Sequence, residues 1–545
     1  MVLRALSEHD GEVKLSVRAG MSGVAAAATA VGVAEVVAWV TGPLSAPLLA
    51  VGGVVVDTVP GPVKDFGVAV FGVHDKTALI VGTAVLLAAY AYAVGVVAVR
   101  SWWAALAGIA LFGLIGAVAA VTRHDAGVGA ALPSLIGTGV ALLVLRRLLT
   151  LATEGIDEAA EGNPPLRPAR ADGPDHDGAH TVEAGTSPSA YPRESRRRFL
   201  RAVGLAAGVA AVSGLAGRML TSRRTVRSAR STVMLPAPVQ TPPPLPAGVQ
   251  VPGVTPYVSP NRDFYRIDTA LYPPQVDPAT WQLRVHGMVR NPMTITWEQL
   301  LRRPMIARYV TLACVSNEVG GDLIGNALWL GTPIKALLDE ADPLPDADQV
   351  IQRSVDGWTC GSPTAVLRDG RDALLAIGMN GQPLPVEHGF PVRMVVPGLY
   401  GYVSAAKWIA EIELSRFADF DAYWVPRGWA QQAPIKTQSR IDTPRDNAAR
   451  PAGPVTVAGV AWAQHRGISK VEVQVDDGPW AEATLAATVS SDTWRQWSYP
   501  WQATPGEHTV RVRATDTTGR TQTGTPAPPD PDGATGWHRI RVQVS

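Results

Sequence analysis

Apolar positions follow three patterns along this chain. In residues 1–150 they form long, nearly uncharged runs. Met21 to Val40, Thr77 to Val99, Trp102 to Val121 and Val128 to Leu145 are each long enough to cross a bilayer as a helix. Pro43 to Val59 is apolar too, but short and rich in Pro and Gly, the pattern of a re-entrant or partner-covered segment. Residues 151–194 lose the pattern: Pro, Gly, Ala, Asp and Glu dominate, which predicts a disordered linker. From Tyr257 onward apolar residues come in short runs. Trp281 to Gly287 alternates like a strand, and Ile334 to Leu338 is a short amphipathic helix behind Pro333, so Tyr257 to about Ile412 reads as an α+β domain. Further on, Val471, Val473 and Val475 share one strand face, and Asp477-Gly478 supplies a turn. Val510 to Arg513 and Ile540 to Val544 repeat the alternation.

Basic residues orient the apolar region. Arg4, Lys14 and Arg18 precede the first span, so the N-terminus is expected in the cytoplasm. Arg100 and Arg146-Arg147 then fall on the same side, and Arg123, beside Asp125, on the other. Glu35 lies near a span end, where a carboxylate reaches water. The neighbouring histidines, His74 and His124, sit in polar loops and form no pair at bundle depth, so no haem is expected and the region reads as an anchor or docking module.

Ser195-Arg196-Arg197-Arg198-Phe199-Leu200-Arg201 precedes the apolar run Ala202 to Ala216. Paired arginines, Phe-Leu and a weakly apolar helix make a twin-arginine type export signal over 195–220, set unusually inside the chain. With no small-residue cleavage site after Leu220, this helix is expected to remain as a fifth span. Residues 221–256 are Pro-rich, including Thr241-Pro242-Pro243-Pro244, and predict an extended spacer. The net charge of +1 offers no field for nucleic acid, so none is expected as a partner.

The chain has two cysteines, Cys314 and Cys360. Cys314 ends the β-branched run Tyr309 to Ala313 and is followed by Ser316-Asn317 and Gly320-Gly321, which reads as a buried strand delivering a thiol into a loop. Thiolate is a soft metal ligand; a buried structural cysteine and a Cys314–Cys360 disulfide are the competing readings. A second stretch bears on the choice: Gly381 to Arg393, containing His388-Gly389-Phe390-Pro391-Val392, then Pro397 to Gly401 and Lys407-Trp408.

Together these stretches resemble the sulfite oxidase family of molybdopterin enzymes, over roughly Tyr257 to Ser545. The resemblance implies an α+β molybdopterin-binding domain (257–432) followed by an immunoglobulin-like β-sandwich (433–545), preceded by an all-α transmembrane region. It implies a molybdenum-molybdopterin cofactor, one per chain, with Cys314 as metal ligand and Asn317 completing Cys-x-x-Asn. The opening cofactor loop corresponds to Asn261, Phe264 and Tyr265, and a pterin-contacting aspartate to Asp356. His388, Arg393, Ser404 and Lys407 correspond to the family's remaining cofactor residues, and Tyr423 to its active-site tyrosine. Chemically, Arg393 and Lys407 suit the pterin phosphate, and Gly398 and Gly401 would let backbone N–H groups approach it. Taken singly, Arg393 paired with a core carboxylate and Lys407 on the surface would serve equally well. The resemblance also implies a homodimer through the C-terminal domain.

The chain departs from the family's pattern at the substrate arginines. Pro260 and Glu318-Val319 stand where sulfite oxidases carry a basic pair, with Arg262 a displaced substitute and Arg495 a distant one. Glu318 near the pocket would repel sulfite. The expectation is therefore a membrane-anchored, extracytoplasmic enzyme of two-electron oxygen-atom transfer, acting on a small S-oxide, N-oxide or other non-sulfite substrate, with an electron donor or acceptor of unknown identity at the membrane. Sulfite oxidation and a cofactor-free binding module stay open as alternatives.

Overall fold

Apolar runs without charge have no route to satisfy their backbone in lipid except helix formation, and helices are what the first half contains. The computed structural model describes residues 2–59, 63, 70, 75–123, 126–161, 191–223, 226–245, 247–249 and 251–545. It divides into two units, Met1–Thr225 and Val226–Ser545.

The first unit contains α1 (Val2–Thr41), α2 (Pro47–Thr58), α3 (Asp75–Arg100), α4 (Trp102–Val121), α5 (Leu132–Glu161) and α6 (Tyr191–Arg223). Among the described residues, five segments are long and apolar enough to cross a membrane: Leu15–Thr41, Thr77–Arg100, Trp102–Val121, Val128–Thr153 and Arg197–Gly217. α1 packs against α3, α5 and α6. Small residues let the backbones touch: a Cβ on Gly23 would fall 2.0 Å from the Ala91 carbonyl oxygen, and one on Gly95 2.2 Å from that of Ala19. The Pro43 to Val59 stretch forms α2, whose 12 residues are too few to span. Arg123 pairs with Asp57 of α2 at 3.1 Å, across Gly53, which has no side chain to block it. The sequence-based neighbour Asp125 and both His74 and His124 lie outside the described residues. So does most of the expected linker, residues 162–190. On α6, Arg197 and Arg198 are exposed and Phe199 is buried.

In the second unit, residues 257–432 build two sheets. One has the order Met293–Thr296, Gln282–Gly287, Ile409–Ser415, Gln349–Ser354, Thr359–Pro363, with the second and third strands parallel. The other runs Ile306–Ala313, Ile324–Pro333, Leu374–Met379, Gln382–Pro383, and Arg393–Val395 adds beside Leu374–Met379. Alternation along Gln282–Gly287 turns Leu283 and Val285 into the core. The β-branched run before Cys314 is buried along most of its length, as a strand covered on both faces must be. Thr296 and Gln299 close a reciprocal capping box on the short helix Trp297–Leu301.

Residues 438–544 form two facing sheets of four and five strands. Val471, Val473, Val510, Val512, Ile540, Val542 and Trp497 fill the space between them. Trp494 instead joins the core of the preceding domain, its backbone N–H donating to Thr311 Oγ1 at 2.8 Å and its indole N–H to the Tyr257 carbonyl at 2.9 Å. The expected spacer is not extended throughout: Arg227–Thr232 is a short helix, the Pro-rich part follows it without regular structure, and from Val226 the stretch lies on this unit instead of standing free. Val226 is buried, Arg230 donates to the carbonyls of Leu384 (2.7 Å) and Pro383 (2.6 Å), and Val239 N–H donates to Met305 O at 2.8 Å. A polyproline-like chain keeps its backbone polar groups unpaired, which leaves them free to dock on an edge.

Candidate functional site

The strand Ile306–Ala313 ends at a loop that turns on Asn317. Its N–H donates to the Cys314 carbonyl (3.2 Å), and its Oδ1 accepts from Leu323 N–H (2.8 Å). Cys314 N–H returns to Leu323 O at 2.9 Å, closing the loop. The β-sandwich braces the same loop. Arg440, paired with Asp442 at 2.7 Å, donates to Gly321 O at 2.7 Å. Gly320, at φ +82°, lies under His538; a Cβ there would fall 2.2 Å from the imidazole. Cys314 and Cys360 are both buried free thiols, so the disulfide reading is overturned. Burial pushes the Cys314 thiol up, opposed by hydrogen bonds from Ser316 and Val315. A bound cation is what would favour its thiolate.

Cys314 opens into a cleft of about 830 Å³. Phe264, Tyr265, Asp356, His388, Arg393 and Lys407 line it with Cys314, although they come from five separate parts of the sequence. Four other expected residues do not line it. Asn261 sits behind His388, its carbonyl 3.1 Å from Nε2 and its Oδ1 accepting from Asn380 at 2.7 Å. Asn317 organises the cysteine loop. Ser404, fully buried, donates to Tyr400 O at 2.9 Å. Tyr423 packs against Trp424 and beneath Arg427, whose guanidinium carbon is 3.8 Å from the ring centroid; it is Trp424 that reaches the cleft. Gly401 lines the cleft, whereas Gly398 lies against Arg371, His465 and Gln464, away from it.

The sequence reading passed over Arg266, Asp268, Ser354, Trp358, Tyr402 and Trp424, all on the lining. Arg266 and Asp268 directly continue the opening loop, and Ser354 and Trp358 flank Asp356, so adjacency to named residues was the available signal. Nothing local marks Tyr402 or Trp424.

The electrostatics are one-sided. Lys407 reaches Asp268 at 2.5 Å and the Glu387 carbonyl at 3.2 Å, and Arg266 reaches the same carboxylate at 2.9 Å. Arg393 is buried, bonded to the carbonyls of His388 and Met394 (both 3.2 Å) and set over the Trp329 ring at 5.1 Å. Among the described residues it has no carboxylate partner. Burial lowers Arg393 to about 10 and Lys407 to about 8, against the Asp268 carboxylate in the latter case. Burial, then Arg393 and Lys407, lower His388 to about 4. Burial, then the Cys314 sulfur, push the Tyr265 phenol up. Ser354 Oγ is buried and has no hydrogen-bond partner among the described residues. A cleft whose cations are destabilised and whose wall carries an orphan hydroxyl fits a large polar anion beside a thiolate-ligated metal. Gly389, at φ +109°, lets the chain turn between two of these cations; its Cβ would lie 3.0 Å from Arg393 Cβ and 3.1 Å from Lys407 Cβ.

Comparisons with known proteins find relatives for both domains of this unit. Residues 270–424 match the family described as oxidoreductase molybdopterin binding domain, and residues 438–512 match bacterial Ig domain. Mouse mitochondrial sulfite oxidase is 30% identical over 340 residues, 53% of this chain and 62% of that protein. The chain thus spans less than two thirds of the length of that relative. The uncharacterized oxidoreductase YuiH of Bacillus subtilis is 32% identical over 178 residues, 32% of this chain and 85% of YuiH. The catalytic subunit MsrP of a protein-methionine-sulfoxide reductase from Gluconobacter oxydans is 31% identical over 203 residues, 33% of this chain and 61% of that subunit.

Proposed function

The chain belongs to the sulfite oxidase family of molybdopterin-dependent oxidoreductases, and from that premise we propose a membrane-anchored, extracytoplasmic enzyme that moves an oxygen atom to or from a small, non-sulfite substrate. The reading rests on five apolar helices joined to the oxidoreductase unit. The internal twin-arginine type signal is read as exporting that unit already folded. Its electron partner is read as a membrane-associated donor or acceptor.

When bound, the molybdenum-molybdopterin supplies the two-electron couple and the oxygen-atom transfer chemistry. Cys314 is assigned as the metal ligand, with its loop held by Asn317. Arg393 and Lys407 are assigned to the anionic end of the pterin, where charge-assisted hydrogen bonds relieve both buried cations. His388, neutral at physiological pH and donating from Nε2 to Asn261 O, keeps Nδ1 as an acceptor for a pterin N–H. Asp356 is assigned to the pterin ring, and Tyr265 to a hydroxyl donor on the cleft wall. Asn261, Phe264, Asn317 and Ser404 act as supports behind these groups. Tyr423 is assigned to the site through its contact with Trp424.

The cleft's cation inventory carries the substrate reading. Of Arg266, Arg393 and Lys407, the last two are assigned to the cofactor, and Arg266 pairs with Asp268, which Lys407 also reaches. Arg262 points to solvent with 87% of its side chain exposed, and Arg495 bonds carbonyls inside the β-sandwich. Glu318 is exposed and off the lining, so the expected repulsion of sulfite by Glu318 does not operate. What disfavours a small dianion is the lack of a spare cation among the described residues of the cleft, while Trp358, Tyr402 and Trp424 offer apolar walls to a neutral oxide. Steady-state assays would compare sulfite plus an artificial acceptor with a panel of S-oxides and N-oxides plus a reduced dye. Turnover of oxides with poor sulfite KM is expected. Efficient sulfite turnover at low KM overturns the substrate assignment, and absence of molybdenum from purified protein overturns the enzyme reading in favour of a binding module.

A further inference from the structure

The first unit holds a crevice of about 670 Å³, counting the space at its open side, lined by α1, α3, α4 and α5 with Pro47 of α2 at one end; Tyr90 on its wall is 39% exposed. Its lining lies in the middle of α1, α3 and α4, and on α5 it starts at Pro133 and Ser134, in the first turn of the helix. On α4 it runs from Ile109 to Gly116 within Trp102–Val121, leaving roughly 8–10 Å of helix beyond it at each end. On α1 it spans Gly23 to Ala34 within Leu15–Thr41. If these helices cross a bilayer, as proposed above, the crevice lies within the spans, with Ser134 toward the end at which α5 begins.

The walls are almost wholly apolar and unusually small, with Gly23, Ala27, Ala30, Gly113 and Gly137 among them. Tyr90 and Phe112 form a stacked aromatic surface on one side, centroids 6.0 Å apart. Three hydroxyls line the space. Tyr90 donates to Gly108 O at 3.0 Å, and Thr138 donates to Ser134 O at 2.7 Å. Ser134 is different: it is 4% exposed and its Oγ has no hydrogen-bond partner among the described residues. Gly116 keeps the space beside that hydroxyl open, since a Cβ there would fall 2.7 Å from Ser134 Oγ.

An unpaired hydroxyl in hydrocarbon is unfavourable, and an acyl chain filling the cavity would leave it unpaired. A ligand with a carbonyl acceptor satisfies it, and a flat ring suits the Tyr90–Phe112 surface. We propose that this cavity binds a lipophilic molecule with a planar, carbonyl-bearing head group, of the isoprenoid quinone class, the Ser134 hydroxyl donating to a ring carbonyl. The choice of a quinone over other lipophilic carbonyls rests on the proposed oxidoreductase function, which needs a two-electron partner. The cavity itself does not depend on that function.

The test uses the full chain in nanodiscs of one saturated phospholipid, titrated with a decyl-tailed benzoquinone, with decylbenzene as the acceptor-free control. One saturable quinone site per chain is expected, with decylbenzene competing weakly. Ser134→Ala should weaken quinone binding about tenfold, equivalent to about 1.4 kcal/mol, without altering molybdenum content or dye-linked oxide reduction. Ala141→Phe, which fills the cavity, should abolish saturable binding; Ser134→Ala keeps the test valid if that variant misfolds. Binding no greater than partition into empty nanodiscs, equal binding by Ser134→Ala, or equal competition by decylbenzene would each overturn the proposal, the last by showing an acyl-chain filler. Because binding is read independently of turnover, failure of the oxidoreductase reading would appear separately, as absent molybdenum with quinone binding retained.

Discussion

His388 should make the cofactor-free protein acid-sensitive at the cleft. Its ring is 6% exposed, edge-on to Phe264 at 5.5 Å, and faces Arg393 and Lys407, so burial and then these cations hold it at about 4 against an ordinary value of 6.5. The folded value lies below the unfolded one, so the fold favours the neutral ring. Stability is full above about pH 6.5 and is lost as the pH falls toward 4, where both states bind the proton. At 1.36 kcal/mol per pH unit the saturated loss is about 3 kcal/mol, and the loss already reached at pH 5 is about 2 kcal/mol. Hydrogen exchange on the full chain in detergent would report this locally, through protection factors of a peptide covering residues 384–396. Between pH 7.5 and pH 5 that peptide should lose about 30-fold protection in the cofactor-free protein. His388→Gln, which keeps a donor for Asn261 O, should remove most of the loss. His538, also held at about 4, contributes at the domain seam and not in this peptide. An unchanged pH dependence in His388→Gln would falsify the assignment.

Other outcomes follow from the geometry. Cys314→Ser should abolish oxygen-atom transfer while the pterin is still retained by Arg393 and Lys407; residual turnover at the parent rate would sink the ligand role. Ser354→Ala should speed loss of the pterin during dialysis, followed by fluorescence of the oxidised pterin, and an unaltered rate would leave the orphan hydroxyl unexplained. Gly320→Ala combines strain at φ +82° with a clash against His538, and should destabilise the unit by about 2–3 kcal/mol or more, read as a lower melting temperature; an unchanged melting temperature would show that the seam yields freely. Arg196→Lys with Arg197→Lys should keep the catalytic unit from external protease in intact cells, and cleavage as in the parent would count against twin-arginine export. Purified protein should lack a Soret band near ~410 nm, and a strong band of bis-His type would overturn the haem-free reading of the apolar region.

Much of the chain's layout was legible without coordinates. Membrane-length apolar runs admit one backbone solution, so the helical first unit followed from hydropathy. Period-two alternation placed Leu283, Val285, Val471 and Val473 in cores, since a strand with one covered face allows no other register. The chemistry-bearing residues were legible through motif order: Cys314, His388, Arg393 and Lys407 are far apart in sequence and converge on one cleft. Folding decided which neighbour of each motif faces the ligand. A one-residue choice in an irregular segment separates Tyr423 from Trp424, and no periodicity governs such a segment. Long-range partners were equally hidden: Asp57 for Arg123, Asp268 for Lys407, and the docking of the Pro-rich stretch on the catalytic unit. The bracing of the cysteine loop by Arg440 and His538 also needed the tertiary structure, because a hydrogen bond to Gly321 O leaves no trace in either segment. Composition and spacing encode which face of an element is buried; the pairing of buried polar groups is a property of the packed whole, fixed when each must find a partner away from water.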